Sequence, residues 1–100
     1  MKRIILRGGA LLELDQVRHV LAVVKYRTFL EASFQLNRSQ SSLSKSIRRL
    51  EEELGTRLFD RIGRKVTLTP QGSQFLTSAY DILYEVNRAK LSVSDETELK

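Results

Sequence analysis

Apolar residues recur at a helical period over most of the chain and at a strand period in one short stretch. Val17, Val20, Leu21 and Val24 fall at i, i+3, i+4 and i+7, which is one face of a helix. Leu14 extends that face, Asp15 is the expected N-cap, and the helix should end near Tyr26. Thr28 is suited to cap a second, short helix whose inner face is Phe29, Ala32, Ser33 and Leu36. Small residues in the middle of that face let a neighbouring helix approach closely. Asn37 and Arg38 make a turn, and Ser39 caps a third helix with Leu43, Ile47, Leu50 and Leu54 inside and Gly55 as its stop. Two helices joined by so short a turn, the second longer than the first, form the helix-turn-helix pattern.

The period changes in LFDRIGRKVTLT, residues 58 to 69. Phe59 precedes a turn carrying Gly63, and Val66 and Leu68 alternate with polar residues after it, so this stretch predicts a two-stranded hairpin. Its tip is basic, with Arg61, Arg64 and Lys65, and a hairpin directly after such a helix is a wing. Thr69 and Pro70 then open a last helix as N-cap and first residue. Phe75, Ala79, Ile82, Val86, Ala89 and Val93 follow a heptad a/d spacing, the pattern of a dimer seam. Leu76, Tyr80 and Leu83 form a second stripe beside it. A helix with two apolar stripes needs two partners, read here as the body of its own domain and a second subunit.

The predicted fold is mainly α: a winged helix-turn-helix of three helices and a two-stranded wing, then a long linker and dimerisation helix. Residues 1–13 form an N-terminal extension, with Gly8 and Gly9 a flexible joint after Ile4, Ile5 and Leu6. Residues 14–69 form the winged domain, 70–93 the linker helix, and 94–100 a polar tail expected to fray.

Ser39, Gln40, Ser41, Ser44, Lys45 and Arg48 change what the third helix suggests. The side opposite its apolar stripe carries small hydroxyls, an amide, an amine and a guanidinium, and no carboxylate before Glu51, Glu52 and Glu53. Short side chains let a helix end approach a duplex closely, and hydroxyls and terminal N–H groups bond phosphates. Gln matches the major-groove edge of adenine, and Arg or Lys that of guanine. Serine enrichment alone would equally fit a solvated turn rich in capping residues; the basic wing and the heptad helix tip the balance. Overall charge agrees: 17 Lys and Arg against 12 Asp and Glu give a formal +5, the sign expected of a polyanion partner.

The chain has no cysteine, which excludes disulfides and thiolate chemistry and is compatible with a reducing cytoplasm. No apolar run approaches the roughly 20 residues of a membrane span, and Arg7 cuts the basic-then-apolar start too short for a signal peptide. The sole histidine, His19, has Asp15 one turn back, but one pair is not a catalytic site. No phosphate loop or metal-spaced cluster occurs, so no enzyme, cofactor or metal is expected. The alternative is a winged-helix protein-interaction module. Such a module would show apolar anchors where this helix shows Gln, Ser, Lys and Arg.

The run F-x-x-A-S-x-x-L-x-x-S-Q-S-S-L-S-K-S-I-R-R-L-E-E-E-L-G-T-R-L-F-D-R from Phe29 to Arg61, then R-K-V-x-L-T-x-x-G from Arg64 to Gly72, resembles the N-terminal DNA-binding domain of LysR-type transcriptional regulators. The resemblance covers about residues 14 to 92. It implies a bacterial regulator of promoter DNA whose linker helix pairs antiparallel in a homodimer. It also implies that the positions of Gln40, Ser41, Ser44 and Lys45 face DNA, that Arg64 reaches the minor groove, and that Thr28 caps the second helix near the DNA backbone. A small-molecule inducer would act only through an effector-binding domain not present here, so the chain is read as part of a longer regulator, with a naturally short, constitutive DNA binder as the alternative.

Three positions depart from the family pattern. Ser41 stands where Pro is common, and Leu30 and Phe34 stand where polar residues are usual, on the outer face of the second helix. Either Ile4, Ile5, Leu6 or another chain covers those two side chains, or they are lone exposed apolar residues.

Overall fold

The computed structural model describes the backbone of residues 3–5 and 11–98. Strand β1 (Arg3–Ile5) pairs antiparallel with β2 (Leu11–Glu13), and β2 runs directly into α1 (Leu14–Tyr26). Helices α2 (Phe29–Gln35) and α3 (Gln40–Leu54) follow, then the hairpin of β3 (Phe59–Ile62) and β4 (Lys65–Leu68), then α4 (Pro70–Glu98).

The core forms where the predicted inner faces meet. Val17, Val20 and Val23 of α1, Phe29 and Ala32 of α2, and Leu43, Ile47 and Leu50 of α3 are buried together. Leu58, Phe59 and Val66 of the hairpin region and Ala79 of α4 close the same cluster. Leu12 belongs to it as well, so the last part of the stretch read as an extension contributes to the core. The joint expected at Gly8 and Gly9, and the side chains of Ile4, Ile5 and Leu6, lie outside the described residues.

Local chemistry sets the element ends. The start of α1 differs from the expected cap at Asp15: the N-cap is Glu13, whose N–H donates to Gln16 Oε1 at 2.9 Å. Asp15 instead sits in the first turn, where a carboxylate suits the helix dipole. Thr28 Oγ1 accepts from Glu31 N at 3.0 Å and Ser39 Oγ from Ser42 N at 3.0 Å, as the cap positions predict. Gly55 ends α3 at φ 73°, a left-handed conformation that glycine adopts freely. Arg27 ends α1 at φ 68° without that freedom. Helix α4 runs on to Glu98 rather than stopping at 93, since SDETELK contains neither Gly nor Pro to end it.

Candidate nucleic-acid interface

Helix α3 packs against α2, and the turn between them is tied back by Arg38 N donating to Ser33 O at 2.9 Å. Ala32 is fully buried and Ser33 nearly so, which brings the two helices close and fixes the angle at which α3 leaves the body. Leu43, Ile47 and Leu50 face the core, leaving Gln40, Ser41, Lys45 and Arg48 exposed and Ser44 half-buried. Among the residues of α3 no carboxylate precedes Glu51, so the exposed N-terminal half of the helix is uniformly neutral or cationic.

The wing is tied to this helix at several points. Glu51 accepts from the backbone N–H groups of Leu58, at 2.8 Å, and Phe59, at 3.2 Å. The sequence pattern places Glu51 in an acidic run beyond the part of α3 that would meet DNA; in the fold it holds the start of β3. Val66 N donates to Arg27 O at 3.0 Å, joining β4 to the end of α1. Thr69 N donates to Leu58 O at 3.0 Å, and Thr69 Oγ1 accepts from Gly72 N at 2.9 Å while donating to Arg57 O. At the tip Gly63 has φ 63°, the first-position conformation that a two-residue hairpin turn needs. Arg64 and Lys65 are exposed there.

Arg61 and Ser44, expected as separate contacts, are bonded to each other: Arg61 Nη2 donates to Ser44 Oγ at 2.9 Å. The Arg61 guanidinium also lies 4.2 Å from the centre of the Phe29 ring, a cation–π distance. One arginine therefore locks wing, α2 and α3 into one surface. Thr28, Gln40, Arg61, Gly63 and Arg64 line a shared cleft with Phe29, Leu30 and Val66.

On the other flank of α3, Arg38 lines a polar cleft with Ser39, Ser41, Lys45 and Arg49. Its Nη2 donates to Ser42 Oγ at 3.0 Å. The sequence pattern marks Arg38 only as a turn residue; an arginine directly before a helix cap is the signal for its place here. His19 is buried beside that cleft, with Nδ1 2.6 Å from Ser46 Oγ of α3. Burial lowers its pKa below the ordinary value, Arg38 adds to the effect, and Asp15 opposes it. Among the described residues no group of His, Asp and Glu could hold a metal ion.

Helix α4 divides its stripes differently from the expected seam. Ala79 is fully buried within its own chain, and Phe75 and Ile82 pack against the same core. Val86 is half-buried, while Ala89 and Val93 are exposed. Of the second stripe, Leu76 and Leu83 are half-buried and Tyr80 is exposed; Tyr84 and Leu91, in neither expected stripe, are exposed as well, as is Val93 of the seam. On α2, Leu30 and Phe34 are exposed at 53% and 72%, so nothing in the described chain covers them.

Helix, turn, helix and wing, with a long helix behind them, define the class as a winged helix-turn-helix. The sequence profile of the bacterial regulatory helix-turn-helix proteins of the lysR family matches residues 14–73, and the chain belongs to that family. It is similar to the HTH-type transcriptional regulator BudR of Klebsiella aerogenes, 46% identical over 72 residues, 72% of this chain and 50% of that protein. It is similar to BenM of Acinetobacter baylyi, 39% identical over 77 residues, 77% of this chain and 25% of that one. Among solved structures, a BenM DNA-binding domain in complex with the catB site 1 DNA is 35% identical at TM-score 0.78, covering 89% of this chain and 99% of that one. A complex of the CbnR DNA-binding domain with DNA gives TM-score 0.81 at 28% identity, covering 86% and 99%. The chain thus spans half or less of these two regulators and nearly all of the separate domains. Its relatives are transcriptional regulators rather than enzymes, and it is a LysR-type helix-turn-helix DNA-binding domain.

Proposed function

We propose that this domain binds double-stranded promoter DNA in the bacterial cytoplasm as a homodimer, reading sequence with α3 in the major groove and steadying it with the wing. The observation that carries the reading is that Gln40, Ser41, Lys45, Arg48, Arg61, Arg64 and Lys65 are all exposed on α3 and the wing, the two joined by the Arg61 bond to half-buried Ser44. Gln40 reads an adenine edge, and Lys45 or Arg48 a guanine edge. Thr28, Ser39, Ser41 and Ser44 sit against the phosphates near the helix ends. Arg64 and Lys65 hold the flanking minor groove, favoured where A·T runs narrow it.

The dimer forms through α4. With Phe75, Ala79 and Ile82 committed to the chain's own core, the surface offered to a second subunit is Tyr80, Tyr84 and Leu91, together with the exposed end of the heptad seam at Ala89 and Val93. Two copies of α3 then enter grooves a whole number of helical turns apart.

Selection from a random duplex pool at two salt concentrations tests the proposal. Enrichment of an interrupted dyad that persists at the higher salt is the expected result. Binding without enrichment, lost steeply with salt, would mean that only the backbone is read. No binding even at low salt would overturn the reading in favour of a protein partner.

A further inference from the structure

Leu30 is the exposed apolar side chain of a cleft whose other apolar members, Phe29 and Val66, are buried. It is half-exposed near the start of α2, in the cleft it shares with Gln40 of the recognition helix and with Arg61 and Arg64 of the wing. No carboxylate lines that cleft. Beside Leu30 it presents the Gln40 amide, the Thr28 hydroxyl and the guanidinium groups of Arg61 and Arg64. An acidic peptide would satisfy the arginines and leave the amide and the leucine without a role. A nucleotide of a DNA strand satisfies all three, with phosphate on arginine and base edge on glutamine. If Gln40 takes an adenine, a thymine lies across the same pair, and its C5-methyl is the apolar feature of the major-groove edge.

We propose that Leu30 is a specificity-determining residue that receives a thymine methyl group at the edge of the site read by Gln40. The proposal rests on the DNA-binding reading above. It adds a sequence preference from α2, a helix otherwise expected to meet only the DNA backbone.

The test uses the duplex enriched by selection, with each thymine replaced in turn by deoxyuridine, which removes one methyl and keeps the base pairing. With the full chain, one thymine per half-site should cost about four-fold in affinity, the value of one buried methyl-sized group. In Leu30→Ser that penalty should vanish at that position alone, and in Leu30→Met it should return. A flat uridine profile for the unaltered protein would overturn the proposal. So would a penalty that persists in Leu30→Ser, which would assign the methyl to another side chain. Failure to enrich any duplex would instead remove the reading beneath it, and the proposal with it.

Discussion

His19 shows how much a single side chain can carry without being chemical. Its imidazole is buried between α1 and α3, bonded to Ser46, with Arg38 and Arg18 adding positive charge and Asp15 and Glu13 opposing them. Its pKa is lowered in the folded state relative to 6.5, so the unfolded chain binds the extra proton first. The neutral histidine's contribution is therefore complete above the unfolded value and is lost as pH falls below it towards the folded value. Thermal midpoints should fall between pH 7 and pH 5, and His19→Gln should flatten that decline; an unchanged slope would show that other groups cause it. At the groove face, Gln40→Ala should cost about 1–3 kcal/mol of binding and relax one base position. Lys65→Ala should weaken all sequences alike and lower the salt slope by about 1. Competition binding at two salt concentrations separates the two outcomes.

At the scale of elements, the wing depends on contacts that bind backbone rather than base. Removing the Glu51 carboxylate leaves the Leu58 and Phe59 N–H groups without their acceptor. Glu51→Ala should therefore cost roughly 1–3 kcal/mol in urea unfolding and loosen the wing, weakening DNA binding as well. Gly72 is fixed by space. A Cβ there would lie 2.1 Å from Leu58 O and 2.8 Å from Leu68 Cδ2. Because the nearest obstacle is backbone, α4 must shift, and Gly72→Ala should cost on the order of 1–3 kcal/mol or more. Arg27 presents the opposite case: at φ 68° it holds a strained cap, and Arg27→Gly should stabilise the domain or leave it unchanged, by up to about 1 kcal/mol.

For the whole molecule, the open question is what α4 meets. Its 29 residues reach about 44 Å at 1.5 Å per residue, and only the first part packs against the body. Leu91→Asp should leave the thermal midpoint of the domain nearly unchanged but convert a sedimenting dimer to monomer. A dimer that persists would remove Leu91 from the interface. Ile82→Asp should behave differently, because it pushes a carboxylate against the core and destabilises the fold itself. The two variants distinguish a stripe that serves the subunit from one that serves the pair.

Local sequence specified the order and type of α1 to α4 and of the wing strands: periodicity, capping residues and glycine positions act over one or two turns, and they place those elements within a few residues. It also marked out the basic face of α3, because residues four apart share a face whatever lies beyond. Tertiary structure decided the rest. Pairing of Arg61 with Ser44, Glu51 with the wing backbone and His19 with Ser46 joins residues far apart in the chain, which no local pattern encodes. The strand ahead of α1 pairs with β1 and puts Leu12 in the core, though an apolar run broken by glycines carries no period to announce it. On α4 a heptad spacing says that a stripe is buried but not against what. Only the packed body shows Ala79 covered by its own chain while Tyr80, Tyr84 and Leu91 stay exposed.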